Sequence, residues 1–460
     1  MLFRQILHRD LGCASYVIAD GGQAAVVDPK WEIDEYLRLA EQEGFEITHI
    51  LETHNHADHV SGRGRLAEAT GATIHVPNAH EVEFASEPVA DGGVVAVGEA
   101  RIVALATPGH RPEHVAYLVE DLSRGDSPWL VLTGDSLFVG DLARPDLAVE
   151  PEEGARDLHR SLRKLLALDD FVEVYPGHIG GSLCGGAGMS ENPASTIGFE
   201  RRFNRLLAIE DEATFVADLT GDLQAQPPNF ERIVELNRGR LLRHAAPLEP
   251  LAPRRVEELL AGGATVLDGR EPREFDAEHL PSSLNTTMIK AAVGTRAAWV
   301  VDPESDVVVL AASDADALVM LRLLEAVGFR SLRGYLVGGV AAWRESGREI
   351  ATTAAIDIPT LAARLAAGDV DLLDVREAEE WRESHVPGSL FVPYHELRHG
   401  LPDTLERRDG RPLAVACSAG NRSSLAVSLL RRHGVDDLVH VADGGVAELA
   451  EHGIELVEGD

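Results

Sequence analysis

Apolar residues recur along this chain in short runs closed by glycine, proline or polar turns. In the first half four runs stand out: Ile47-Thr48-His49-Ile50-Leu51, Ile102-Val103-Ala104-Leu105, Trp129-Leu130-Val131-Leu132 and Phe171-Val172-Glu173-Val174. They are short and partly β-branched, so they predict buried strands. Each breaks into a turn that carries a metal-type side chain. The first runs into Thr53-His54-Asn55-His56-Ala57-Asp58-His59, with a helix expected to begin near Val60-Ser61-Gly62. The others run into Thr107-Pro108-Gly109-His110, Thr133-Gly134-Asp135-Ser136 and Tyr175-Pro176-Gly177-His178. A helical stretch from Arg201 to roughly Arg240 is expected beyond them.

The second half overlays itself at an offset of 106 residues. Asp268 falls on Asp374, Arg270 on Arg376, Glu271 on Glu377, Phe275 on Trp381, His279 on His385, Pro281 on Pro387 and Ser283 on Ser389. Gly328 meets Gly434, and Gly338-Gly339 meets Gly444-Gly445. An offset that never slips means two copies of one domain. Each copy alternates strand-like runs (Thr265–Leu267; Val370–Leu373) with helical ones (Ala317–Val327; Ser423–His433). That alternation predicts an α/β unit with a mostly parallel sheet.

The copies differ at one place. In the second, the strand-like Leu413-Ala414-Val415-Ala416 enters Cys417-Ser418-Ala419-Gly420-Asn421-Arg422 and then a helix. The offset puts Ala311 under Cys417 and Asp316 under Arg422. Backbone N–H groups of such a loop converge on its centre, and the helix N-terminus adds partial positive charge. Both favour thiolate over thiol, as does Arg422.

At 460 residues and 45% apolar, the chain can bury several cores, and about three domains are expected. Pro247, Pro250 and Pro253 mark a linker, and Thr352 to Pro359 a second boundary. The expected domains are 1–248, 253–352 and 355–460. A net charge of −34 argues against nucleic acid and anionic membranes as partners. There is no apolar run of membrane-spanning length and no secretory signal. Three cysteines make no disulfide framework, so Cys13, Cys184 and Cys417 read as reduced thiols of a cytoplasmic protein. Cys13 is expected to pack in the core. Cys184 follows His178 closely enough to reach the metal rim and touch a sulfur substrate.

Three imidazoles and a carboxylate within His54–His59, joined by His110, Asp135 and His178, suit a borderline divalent metal such as zinc or iron. Together these turns resemble the metallo-β-lactamase superfamily, in its glyoxalase II-like branch. The resemblance covers about the first half of the chain and implies an αββα sandwich. In hydrolases of that kind His54, His56 and His110 would hold one metal, and Asp58, His59 and His178 a second, with Asp135 bridging.

Thr133–Asp146, Gly181-Ser182-Leu183-Cys184-Gly185 and Ser195–Glu200 look more closely like the persulfide dioxygenases. That likeness implies a single Fe(2+) held by His54, His110 and Asp135, with open positions for substrate sulfur and O2. His56, Asp58, His59 and His178 would then orient the ligands by hydrogen bonds. Ala143 stands where that family usually has glycine. Every ligand of a two-zinc site is also present, so one iron and two Zn(2+) both remain open. Arg144 is the candidate for holding carboxylates of the thiol carrier.

The second repeat, with Asp374–Glu377, His385–Ser389 and the six-residue loop, resembles a rhodanese sulfurtransferase domain. Cys417 would be the persulfide carrier and Arg422 an anion-binding group. The first copy looks like a rhodanese without its catalytic cysteine, serving as packing or docking surface. The resemblances imply oxidation of a small thiol persulfide by O2 to sulfite and thiol, with sulfur transfer between persulfide, sulfite and thiosulfate. They also imply a homo-oligomer. The rival activity is di-zinc thioester hydrolysis.

Overall fold

The computed structural model describes residues 1–459 other than 181, 187, 222, 289–292 and 407–409. Gly181 and Lys290 therefore lie outside the described residues. The chain divides into two compact units. One is Met1–Ala245 with Glu325–Gly328; the other is Ala246–Leu324 with Phe329–Asp460.

The first unit holds two six-stranded sheets. Sheet one is, in spatial order, β1 (Leu2–His8), β2 (Cys13–Asp20), β3 (Gln23–Val27), β4 (Glu46–Leu51), β5 (Thr73–Pro77) and β6 (Glu87–Val89). Sheet two contains β7 (Val94–Val97), β8 (Ala100–Ala106), β9 (Val115–Asp121), β10 (Leu130–Gly134), β11 (Glu173–Pro176) and β12 (Ser195–Thr196), also in chain order across the sheet. Alternation along β2 sends Ala14, Tyr16 and Ile18 into the space between the sheets, where they meet Ile102, Tyr117, Val119 and Leu132. Val17 and Ala19 face the other way, onto Tyr36 of the helix Asp34–Glu43 and Leu66 of Arg63–Thr70. On the far side Leu158 and Leu162 of the helix Pro151–Leu165 cover Val131 and Val174. This is the expected αββα sandwich. The expected helical stretch is broken into Ile197–Phe203, Glu212–Thr220 and Phe230–Arg238.

The second unit holds two five-stranded sheets whose neighbouring strands all run parallel. The first has β13 (Pro250–Leu251), β14 (Thr265–Asp268), β15 (Leu284–Asn285), β16 (Val307–Leu310) and β17 (Leu332–Leu336), in spatial order β13-β17-β16-β14-β15. The second has β18 (Ala354–Asp357), β19 (Asp371–Asp374), β20 (Leu390–Phe391), β21 (Leu413–Ala416) and β22 (Leu438–Asp443), in the matching order β18-β22-β21-β19-β20. The repeat is thus one topology built twice. The prolines read as a linker are partly structure: Pro250 opens an edge strand and Pro253 begins the helix Pro253–Ala261, positions that need no backbone N–H. Both copies fall within one compact unit, and buried polar side chains join them: Ser424 Oγ donates to Asn285 Oδ1 at 2.7 Å, and Ser428 Oγ accepts from Asn285 N at 3.3 Å.

Among the described residues no helix is long and apolar enough to cross a membrane.

Candidate metal centre and cysteine loop

The strand ends of the first unit bring His54, His110 and Asp135 together. All three are buried, and one ligand atom from each lies within 4.8 Å of the others. Glycines make the approach possible. Gly134 sits at φ +50°, and a Cβ there would lie 2.6 Å from His114 Nε2. A methyl on Gly177 would run into the Asp135 carboxylate.

Hydrogen bonds set the tautomers. His110 Nδ1 lies 2.9 Å from the Arg144 carbonyl, which only accepts, so Nδ1 carries the proton. Its Nε2 is left bare, 3.4 Å from Asp135 Oδ2. Thr53 Oγ1 donates to Asp28 Oδ2 at 2.9 Å, so it accepts from His54 Nδ1, also at 2.9 Å. His54 Nε2 is therefore bare as well, 3.9 Å from Asp135 Oδ2. Burial, then neighbouring imidazoles, holds His54 well below its ordinary pKa. Burial alone would raise the Asp135 carboxyl, but the His178 and His110 imidazoles keep it at about 2. The result is two neutral nitrogens and one carboxylate.

His54 Nε2, His110 Nε2 and Asp135 Oδ1 have no hydrogen-bond partner although buried, while Asp135 Oδ2 meets the His178 imidazole at 3.1 Å. Buried polar atoms are otherwise nearly always paired. A divalent cation supplies the missing partner, so the donor set fits a metal. His56 divides differently: its Nε2 lies 3.1 Å from Asp28 and 3.2 Å from Glu52, while its Nδ1 has no partner. His59 Nδ1 is bound to its neighbour Asp58 at 3.1 Å. His178 bonds Ser182 Oγ at 2.8 Å through Nδ1, and its Nε2 lies 3.1 Å from Asp135 and 3.5 Å from Asp58.

Cys184 is buried, with its sulfur near Asp58 and His178, and burial pushes its thiol up to about 12. Cys13 is buried as expected on β2, but its sulfur also lies near Asp58 and His59. Arg144, the expected substrate-binding cation, is buried and paired within the chain. The guanidinium is bidentate on Asp146 at 2.6 and 2.7 Å and donates to the Gln224 carbonyl at 2.6 Å, while Nη1 lies 3.4 Å from the Leu183 carbonyl.

Three participants were missed from sequence. His114 Nε2 accepts the Asp135 backbone N–H at 2.9 Å, and its Nδ1 lies 2.9 Å from Thr107 Oγ1. Asp28 holds Thr53 and His56 from a left-handed backbone at φ +51°. Glu52 meets the same His56 nitrogen as Asp28, at 3.2 Å. An acid at the end of the apolar run Ala24–Val27 was the available signal for Asp28.

In the second unit Cys417 ends β21 and is buried. Gly420, at φ +84°, turns its N–H onto the sulfur at 3.1 Å, and the helix Asn421–Arg432 begins there. Ser418 and Ala419 complete the turn, and Asn421 opens the helix. Arg422 does not offer a free charge: Glu380 takes it bidentately at 2.5 and 2.8 Å, and Ser418 Oγ accepts from it at 2.8 Å. The residues repeated between the copies prove structural. Arg270 clasps Asp268, and Arg376 clasps Asp374, each buried. His279 stacks on Phe275, and His385 on Trp381, with ring centroids 4.0 and 3.9 Å apart.

The metallo-beta-lactamase superfamily model matches residues 8–178, and the rhodanese-like domain model matches 252–346 and 357–452. A hydroxyacylglutathione hydrolase of Chromohalobacter salexigens is 30% identical over 211 residues, 41% of this chain and 78% of its own length. The chain belongs to the metallo-beta-lactamase superfamily. It joins such a domain to two rhodanese-like domains. A hydroxyacylglutathione hydrolase of Rhodospirillum rubrum is 36% identical over 34% of this chain and 57% of its own length. The chain thus spans a little under three fifths of the first curated relatives it matches. A metallo-beta-lactamase structure from Staphylococcus aureus aligns at TM-score 0.65 and 28% identity, over 73% of this chain and 99% of that one. ETHE1 from Myxococcus xanthus aligns at TM-score 0.45 and 30% identity, over 52% of this chain and 98% of that one.

Proposed function

We propose that this protein oxidises a low-molecular-weight thiol persulfide with O2 at one Fe(2+) held by His54, His110 and Asp135, and moves sulfane sulfur through Cys417. The observation that carries it is the trio of buried, partnerless donor atoms on these residues. Two neutral nitrogens and one carboxylate on one side of a metal are the donor set of non-haem iron oxygenases. Bound there, iron supplies open coordination positions for a sulfur anion and dioxygen. His114 fixes the Asp135 loop, the Arg144 carbonyl fixes His110, and the Asp28–Thr53 pair fixes His54. Buried Phe138 packs edge-on to the His178 ring, with centroids 6.0 Å apart. The net reaction is RSSH + O2 + H2O → RSH + SO3²⁻ + 2 H⁺: sulfane sulfur gives up four electrons and O2 takes them. At Cys417, Cys–S–S⁻ + SO3²⁻ → Cys–S⁻ + S2O3²⁻ breaks one S–S bond and forms another.

A second reading is a two-zinc thioester hydrolase. It is favoured by His56 Nδ1, also buried without a partner, and by the adjacent Asp58, His59 and His178. The full chain, purified anaerobically, separates the two by metal content and single-turnover O2 consumption with glutathione persulfide. One iron and stoichiometric O2 uptake support the dioxygenase. Two zincs and no O2 uptake overturn it.

A further inference from the structure

The copy without a cysteine places one side chain against His440, on the strand beside the cysteine loop of the other. Asp276, in the helix Pro272–Ala277 of the first copy, places Oδ2 2.7 Å from Nδ1 of His440 on β22. His440 Nε2 lies 2.9 Å from the Gly420 carbonyl and 3.0 Å from Ser423 Oγ. Ser423 Oγ lies 3.4 Å from Cys417 Sγ. All four side chains are buried, with Asp276 4% exposed and His440 fully enclosed. A carboxylate, an imidazole, a hydroxyl and a thiol thus form one unbroken chain across the two copies.

The polarity of the chain follows from its ends. The Gly420 carbonyl only accepts, so His440 Nε2 carries a proton and Ser423 Oγ shares it as acceptor. The single hydroxyl proton of Ser423 has the Gly420 carbonyl at 3.0 Å, the Val441 carbonyl at 3.4 Å and the Cys417 sulfur at 3.4 Å as acceptors, and a thiolate is the strongest of the three because it is charged. Asp276 holds the ring so that Nε2 faces Ser423 rather than Cys417 directly. In a dry site such a chain polarises from one member to the next.

The internal repeat strengthens the point. The 106-residue offset puts Ala311 under Cys417, Ala317 under Ser423 and Gly334 under His440, so the first copy has none of the chain. Conversely Arg382 of the second copy stands where the first has Asp276. The copies have diverged in complementary ways. The join is also held in place: Ser424 and Ser428 bond Asn285, and Arg432 Nε donates to the Ser282 carbonyl at 2.8 Å.

We propose that Asp276 and His440 are positioning residues for sulfur transfer, orienting Ser423 so that its hydroxyl stabilises the Cys417 thiolate and the inner sulfur of its persulfide. The first copy is then part of the sulfurtransferase site and not only a packing surface. This rests on the reading of Cys417 as the sulfur carrier. Other charged or titratable groups face the loop: Arg422 and Glu380, Glu377, Tyr394, and Arg296 from the first copy. They are the same in every variant below, so a difference between variants reports the chain.

The test uses the full-length protein and two readouts across pH: iodoacetamide alkylation of Cys417, followed by peptide mass, and kcat/KM with thiosulfate as donor and cyanide as acceptor. Asp276→Asn, His440→Gln and Ser423→Ala are each expected to move the alkylation midpoint up by about one pH unit and lower neutral-pH kcat/KM about tenfold. The Asp276→Asn/Ser423→Ala double variant should show no further shift, since both cut the same chain. A purely structural contact would lower the melting temperature and leave the midpoint in place. Midpoints equal to wild type in the folded variants overturn the proposal. Should the Asp276 or His440 variant fail to fold, Ser423→Ala removes a single oxygen and decides alone. Cys417→Ser tests the underlying reading separately: sulfur transfer that survives in it removes the carrier role, while the alkylation midpoints still report on the chain.

Discussion

At the scale of single residues, the candidate metal centre is a set of atoms with nothing else to bind. Supporting residues around such a centre matter nearly as much as ligands. His114→Ala frees the Asp135 loop and is expected to weaken metal binding about 10–100-fold, read by competition with a chelator. An unchanged affinity would make His114 a packing residue. Arg144 has a structural partner in Asp146. Arg144→Ala leaves two carbonyls without a donor and Asp146 with only Gln226 Nε2, at 3.1 Å, and should cost about 1–3 kcal/mol in denaturant unfolding. KM for the persulfide should stay put. Burial raises the Asp146 carboxyl, but Arg144 outweighs it and the group ends below its ordinary value. A depressed carboxylate contributes stability above its unfolded pKa and loses it as pH falls through the folded one. The variant should therefore lose its deficit relative to wild type in acid.

At the scale of elements, four strand ends and their glycine turns do the positioning. Gly177→Ala places a methyl against Asp135 while leaving every ligand in place. Its expected effect is a several-fold drop in bound metal with little change in the secondary-structure spectrum. Wild-type occupancy would show that the turn yields. The strands were legible because Ile47–Leu51 and its three counterparts are apolar runs that break sharply. Pro250–Leu251 was not legible as a strand, because two residues carry no period and proline reads as a breaker. Likewise the repeated Asp-x-Arg and histidine positions looked chemical, yet they are buried clasps of the fold in both copies.

At the scale of the whole molecule, the two candidate centres belong to two compact units with separate cores. Each should fail on its own. Cys417→Ser is expected to abolish thiosulfate–cyanide sulfur transfer and keep metal content and persulfide-dependent O2 uptake at wild-type level. Metal removal with a chelator should do the reverse, and re-addition of Fe(2+) should restore O2 uptake. Loss of both activities in either experiment would mean that the centres are not independent.

The sequence by itself determined the repeat, the ligand-rich turns that carry His54, His110 and Asp135, and the loop that carries Cys417, because offset and turn composition are read directly along a chain; the sandwich and the choice of three ligands came from the family resemblance. Only the tertiary structure decided that Arg144 faces Asp146, that Glu380 takes Arg422, and that Asp276 reaches His440 from the other copy. Charge pairing is settled by distance in space. Residues 164 apart in sequence carry no pattern that announces their contact.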